Sequence, residues 1–285
     1  MSRIFYVNGD YVPEERATIS VLDRGFLFAD GVYEVSTVLG GRLIDNRAHL
    51  ARLSRSLGEL AMAPPCSDEE IVAAQERLLV ENDLDEGLLY LQVTRGVAER
   101  DFAYPKAPKS SLVMFTQEKR VLDSPAAERG IRVVTLPDMR WKRRDIKTVS
   151  LLAQSMAKQA ALDAGADDAW MVEDGFVTEG SSNNAWIVIG ERTLKTRQLG
   201  NEILAGITRA AVMRFAAEAD YRVEEMPFTV EEARQAHEAF VTSASAFVMP
   251  VTRIDGATLG DGEPGPVTRA LRKIYVETAL ERQDL

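Results

Sequence analysis

Cysteine is almost missing. Cys66 is the only one in 285 residues, so no internal disulfide can form and a secreted disulfide scaffold is excluded. Histidine is nearly as scarce, with only His49 and His237, neither in a motif that suggests a base. Zinc-finger and iron–sulfur sites need several Cys or His ligands, so no metal is expected. An enzyme of this composition must draw its chemistry from Lys, Tyr, Glu or Arg. An excess of positive charge is absent too: 34 Lys+Arg stand against 44 Asp+Glu, a formal net charge of -10. The basic run Lys142-Arg143-Arg144 is short and isolated, so nucleic acid is not the expected partner. No apolar stretch approaches the ~20 residues that span a bilayer. The opening decapeptide lacks the basic end and apolar core of a signal peptide. A soluble cytoplasmic protein without a membrane partner is the expectation.

What is present has the balance of a globular protein, 46% hydrophobic and 27% charged, at a length that suits one large domain or two moderate ones. Asn8-Gly9 between Ile4–Val7 and Tyr11–Pro13 signals a hairpin, and Gly40-Gly41 sits between a second strand pair. Leu50, Leu53, Leu57 and Leu60 fall at helical spacing within Asn46–Leu60, and Ser67-Asp68-Glu69-Glu70 has the order of a capping box. Strands follow at Gly87–Arg95 and Ser110–Thr116. The segment Glu118–Pro125 has few large apolar residues and reads as a linker, dividing the chain into domains 1–120 and 121–285. Beyond it, strands are expected at Ile131–Thr135, Ala169–Val172, Phe176–Thr178, Ala185–Ile189 and Ala239–Thr242, with helices at Val149–Ala164, near Ile207, at Thr229–Ala236 and at Pro266–Glu281. Strands cluster rather than alternate with helices, which favours an α+β class.

Four segments carry possible chemistry. Arg140, Lys142, Arg143, Arg144 and Lys147 crowd five cations around Trp141. They read either as a solvated loop, or as a setting that pushes the Lys147 amine toward neutrality so that it can attack a carbonyl. Thr178-Glu179-Gly180-Ser181-Ser182-Asn183-Asn184 sets a carboxylate before a run of small donors, equipment for an anion site or simply a polar turn. Gly206-Ile207-Thr208-Arg209 opens a helical pattern with donors suited to a phosphate, or marks an ordinary turn. Thr242-Ser243-Ala244-Ser245 has the same two readings. Arg52, by itself, reads as a solvated neighbour of the leucine stripe.

In order, these segments resemble the fold-type IV pyridoxal-phosphate aminotransferases. The resemblance runs through Asp23-Arg24-Gly25, Asp30-Gly31-Val32-Tyr33-Glu34, His49-Leu50-x-Arg52-Leu53 and Asp145-Ile146-Lys147. It continues through Thr178 to Asn183, Gly206 to Arg209 and Phe240-Val241-Thr242-Ser243. Tyr90-Leu91-Gln92-Val93-Thr94-Arg95-Gly96 and the Glu179–Asn183 loop look most like D-amino-acid aminotransferases; branched-chain enzymes usually carry a glycine where Ser182 stands. The resemblance implies a two-domain α+β fold with a smaller N-terminal α/β domain and a larger, β-rich C-terminal one carrying the Schiff-base lysine. It implies pyridoxal 5'-phosphate as cofactor, amino acids and 2-oxo acids as substrates, and a homodimer.

By the same resemblance, Lys147 binds the cofactor and then moves the Cα proton, and Glu179 faces the pyridine nitrogen. Arg52, Ser182, Asn183, Ile207, Thr208, Ser243 and Ala244 complete the cofactor site, while Tyr33, Tyr90, Arg100 and Phe102 lie on the substrate side, Arg100 coming from the neighbouring subunit. One departure stands out: relatives carry a histidine where this chain has Phe102, and Asp101 is placed to divert the charge of Arg100. Transamination of D-amino acids, with a range extended to some (R)-amines, is the expected activity. Branched-chain L-amino-acid transamination is the alternative, and a pyridoxal-dependent lyase releasing pyruvate or a non-catalytic binding protein are further ones.

Overall fold

The computed structural model describes residues 2–282, which form two compact units. One holds the residues up to Arg120 with Ile146–Ser150 and Arg282; the other holds Val121–Asp145 and Leu151–Glu281.

In the first unit the strands are β1 (Ile4–Val7), β2 (Asp10–Pro13), β3 (Gly31–Leu39), β4 (Arg42–Leu43), β5 (Glu86–Thr94) and β6 (Ser111–Glu118). Its helices are α1 (Arg24–Phe28), α2 (Asn46–Glu59) and α3 (Asp68–Glu81). The strands make one antiparallel sheet in the order β2-β1-β6-β5-β3-β4. The first hairpin turns where Asn8 and Gly9 adopt φ of 51° and 108°, values that Asn-Gly tolerates. Alternation sends Val32, Glu34 and Val38 of β3 to the buried face, where Leu50, Leu53 and Leu57 of α2 join the same core. The other face carries half-buried Tyr33, Tyr90 and Phe115, stacked in sequence at 5.6 and 4.8 Å between ring centroids. At α3 the capping box forms, Ser67 and Glu70 each accepting from the other's backbone N–H.

In the second unit the strands are β7 (Ile131–Pro137), β8 (Asp168–Glu173), β9 (Phe176–Gly180), β10 (Asn184–Gly190), β11 (Thr193–Thr196), β12 (Arg222–Glu225), β13 (Glu238–Ser243), β14 (Phe247–Ile254) and β15 (Ala257–Thr258). The helices are α4 (Pro125–Arg129), α5 (Leu152–Asp163), α6 (Ile207–Glu218), α7 (Val230–Arg234) and α8 (Pro266–Glu281). Eight strands run in the order β12-β11-β10-β13-β14-β7-β8-β9, with β15 beside β14. Pairs β11–β12, β14–β7 and β7–β8 are parallel and the rest antiparallel, a mixed sheet consistent with the α+β expectation.

Strand β14 is central and accommodates Pro250, because pairing with β7 starts only at Val251 and the missing N–H falls before that ladder begins. Two details differ from the sequence reading. The stretch read as a linker is anchored: Val121 is buried, and its carbonyl and that of Leu122 accept from Arg272 of α8 at 3.0 and 3.3 Å. Helix α5 starts at Leu152 rather than Val149, because the Val149 N–H donates to the Gly31 carbonyl (3.0 Å). The segment Ile146–Ser150, and with it Lys147, therefore belongs to the first unit, not with the C-terminal residues around it in sequence.

Candidate active site

In the first unit, residues 147–149 dock along β3. The Tyr33 N–H donates to the Lys147 carbonyl at 3.0 Å, Thr148 bridges to Val32, and the Lys147 N–H reaches Ser56 Oγ at 3.5 Å. This fixes the lysine backbone, and its Nζ stands 4.2 Å from the centroid of the Tyr33 ring. Lys147 is half-buried. Tyr33 stacks on Tyr90, whose hydroxyl donates to Gln92 Oε1 (2.7 Å); burial, and then the neighbouring Tyr33, push the Tyr90 phenol above its ordinary range.

Arg52 is not solvated. It is buried one helical turn after His49, and both face Glu34 on β3. Arg52 Nε and Nη2 donate to the two Glu34 oxygens at 2.8 and 2.7 Å, and His49 Nδ1 lies 2.7 Å from Oε2. Burial opposes ionisation of Glu34, but Arg52 and His49 outweigh it and hold the carboxyl at about 2, from an ordinary 4.5. A carboxyl lowered by folding contributes stability that is fully present above its unfolded value and is lost as pH falls through the folded one. The shift corresponds to about 3 kcal/mol. The stability difference between the wild type and Glu34→Gln is therefore expected to shrink by about that amount between neutral pH and pH ~2 in denaturant titrations. A constant difference would contradict the pairing.

The expected substrate loop lies on the surface of this unit. Phe102 is 79% exposed, and the Arg100 guanidinium lies 5.5 and 5.6 Å from the centroids of the Phe28 and Phe102 rings. Asp101 does not pair with Arg100. Its Oδ1 accepts from the Ala103 N–H (3.0 Å), and its carbonyl accepts from Arg24 (2.6 Å).

The cation cluster of the second unit also departs from both sequence readings. The side chains of Arg140 and Arg144 are almost wholly covered, and every cation of the run before Lys147 has a carboxylate: Arg140 has Asp138 and Glu179, Lys142 has Glu173, Arg143 has Asp145, and Arg144 has Glu173. The crowd of charge invoked to activate Lys147 is therefore compensated. Glu179, at the end of β9, is buried. Arg140 Nη1 donates to its Oε1; Asn184 Nδ2 (2.8 Å) and the Leu204 N–H (3.2 Å) donate to its Oε2. Burial nevertheless pushes its carboxyl upward, against the pull of Arg140.

Asn184 opens β10 opposite Thr242 of β13, so Glu179 and Ser243 lie at one end of the sheet. Helix α6 begins beside them. A Cβ on Gly206 would lie 2.1 Å from Asn184 Oδ1, so glycine lets the helix start here; no side chain caps Ile207 and Thr208. The two remaining loop residues are placed differently. Ser182 is exposed, with no side-chain hydrogen bond among the described residues, while Asn183 turns its amide to Asp168 (2.7 Å), which also accepts from Ser181 (2.5 Å). Sequence reasoning assigned no role to Glu34 or Asp138, and read Arg140 only as one of the cations around Lys147. The spacing of Asp138 and Arg140 was a usable signal, because residues two apart on an extended segment share a face; Glu34 offered none.

The fold belongs to the aminotransferases. It superposes on the branched-chain amino acid aminotransferase of Escherichia coli with a TM-score of 0.91, covering 97% of this chain and 94% of that one at 21% identity, a likeness of fold alone. The branched-chain enzyme of T.th., solved with pyridoxamine 5'-phosphate, gives 0.90 at 26% identity, covering 99% and 95%. Residues 31–254 match amino-transferase class IV, and the chain belongs to that family. Its sequence is 38% identical over 275 residues to a D-alanine aminotransferase of Staphylococcus aureus (strain MSSA476), covering 96% of each chain.

Proposed function

We propose that this chain is a pyridoxal-phosphate-dependent transaminase that passes the amino group of D-amino acids, of the D-alanine and D-glutamate type, to 2-oxo acids in a ping-pong reaction. The observation that carries this reading is the 38% identity to a D-alanine aminotransferase, against 21% and 26% to branched-chain enzymes of the same fold.

The residues fit the cofactor: an amine on a clamped backbone, a buried carboxylate, a buried guanidinium and an uncapped helix start match an aldehyde, a pyridine nitrogen and a phosphate. When bound, that group supplies an electron sink for the carbanion at the substrate Cα. Lys147 holds it through Nζ and moves the Cα proton. Glu179 faces the ring nitrogen. Arg52, Ile207, Thr208, Ser243 and Ala244 hold the phosphate, with the Ser182 hydroxyl as a further donor. Glu34 keeps the Arg52 guanidinium in one orientation through its two-point pair. Tyr33 and Tyr90 flank the substrate.

Arg100 of a second subunit takes the substrate carboxylate. Exposed Phe26, Val97, Phe102 and Tyr104 supply apolar surface for such a dimer. Phe102 offers no hydrogen bond to a carboxylate, which favours acceptance of some (R)-amines.

The test is a half-reaction assay following conversion of bound pyridoxal phosphate to pyridoxamine phosphate with D-alanine, D-glutamate, L-leucine and (R)-amines. D-amino acids are expected to react and L-leucine not; the reverse would establish the branched-chain alternative. Phe102→His is expected to raise kcat/KM for D-alanine by about 5–150-fold, the equivalent of about 1–3 kcal/mol, and so to lower the preference for (R)-amines relative to D-alanine. Activity falling on dilution in step with dissociation to monomers is the dimer's signature.

A further inference from the structure

The cluster around Glu179 contains more than a carboxylate. The Arg140 side chain is almost wholly covered and binds two acids at once: Nη1 donates to Glu179, while Nε and Nη2 donate to Asp138 at 2.9 and 2.7 Å. The Thr178 hydroxyl donates to Asp138 at 2.6 Å, and Arg144 Nη1 lies 3.4 Å from Asp138 and 2.7 Å from Glu173. The result is an alternating row of Glu173, Arg144, Asp138, Arg140 and Glu179, four of whose five side chains are almost wholly buried. Asp138 binds Arg140 through two donors, which locks the planar fork. Asn184 and Leu204 hold the opposite oxygen of Glu179, so that side chain has one orientation.

We infer that Arg140 is a positioning residue that decides where the proton lies between Glu179 and the cofactor's pyridine nitrogen. This rests on the reading that Glu179 faces that nitrogen. A buried carboxyl and a ring nitrogen share one proton in two ways: as a carboxylate with a pyridinium, or as a carboxylic acid with a neutral pyridine. The two differ by transfer of one proton from nitrogen to a carboxyl oxygen, with no change in the total. Burial disfavours the charged pair. A guanidinium fixed on the carboxylate reverses that balance, because its attraction is strong where water is excluded. Burial already pushes the Glu179 carboxyl upward, and Arg140 is the main influence opposing it. Without Arg140 the proton passes to Glu179 and the ring loses its electron-withdrawing charge.

The experiment is 15N NMR of the holoenzyme reconstituted with pyridoxal 5'-phosphate labelled at the ring nitrogen. The wild type is expected at the pyridinium position, Arg140→Gln shifted toward neutral pyridine, and Arg140→Lys back near the wild-type position. Arg140→Gln leaves Asp138 without its main partner and risks unfolding. The paired variant Arg140→Gln with Asp138→Asn removes that uncompensated charge and is expected to show the same shift. Glu179→Gln separates the two claims. If it leaves the resonance unmoved, Glu179 does not face the nitrogen; if it moves the resonance while Arg140→Gln, alone and paired with Asp138→Asn, stays at the pyridinium position, the role of Arg140 is overturned.

Discussion

Lys147→Ala is expected to lower kcat for transamination by about 10⁴-fold or more, because one side chain supplies both the covalent hold on the cofactor and the proton carrier. The visible absorbance of lysine-bound pyridoxal is expected to disappear with it. Little else should change. The segment is held by backbone bonds, from Tyr33 to the Lys147 carbonyl and from Val149 to Gly31, and alanine keeps both. The lysine side chain is half-buried and makes no ion pair among the described residues, so stability should stay within about 0.5 kcal/mol of wild type. A thermal melt beside the absorbance scan separates lost chemistry from lost fold. Survival of the visible band would assign the covalent role to another lysine.

Arg52→Ala is expected to act on stability and on the cofactor together. Truncation leaves Glu34 buried with His49 as its remaining ionisable partner, and breaking a buried pair from one side costs about 3–5 kcal/mol. The loss of a charge-assisted partner should also weaken phosphate binding by about 1.5–3 kcal/mol, or ~10–100-fold. Titrations with pyridoxal phosphate and with unphosphorylated pyridoxal read this directly: affinity for the first falls and for the second holds. The double variant Arg52→Ala with Glu34→Gln removes the stranded charge. It should recover most of the stability and none of the phosphate affinity, which no purely structural role of Arg52 would produce. Equal losses for both ligands would refute the phosphate assignment.

Much of the site was legible because its signals are local. Asn8-Gly9 dictates a hairpin, Ser67 and Glu70 cap α3, and Gly206 precedes a helix start, each through the chemistry of a few adjacent residues. Ordered motifs identified the family, which the match over residues 31–254 establishes. Burial and pairing were not legible in the same way. Arg52 resembled a solvated neighbour of a leucine stripe until β3 placed Glu34 opposite it. The five-cation run resembled unopposed charge until Glu173 and Glu179 arrived from β8 and β9 and Asp138, two residues before Arg140, turned its carboxylate to the same guanidinium. Asn183 resembled a cofactor donor, and Asp168 claimed its amide.

The sequence by itself determined what chemistry was available. With one cysteine it ruled out an internal disulfide, and with only two histidines it pointed to lysine, glutamate, tyrosine and arginine for the chemistry. Tertiary structure decided the electrostatic state of those groups. It clamped residues 147–149 to β3, placed Glu34 against Arg52, and built the row of alternating charge that ends on Glu179. The physical reason is that local propensity depends on near neighbours in sequence, whereas the charge state of a buried group depends on partners 18 to 39 residues away and on the water they exclude.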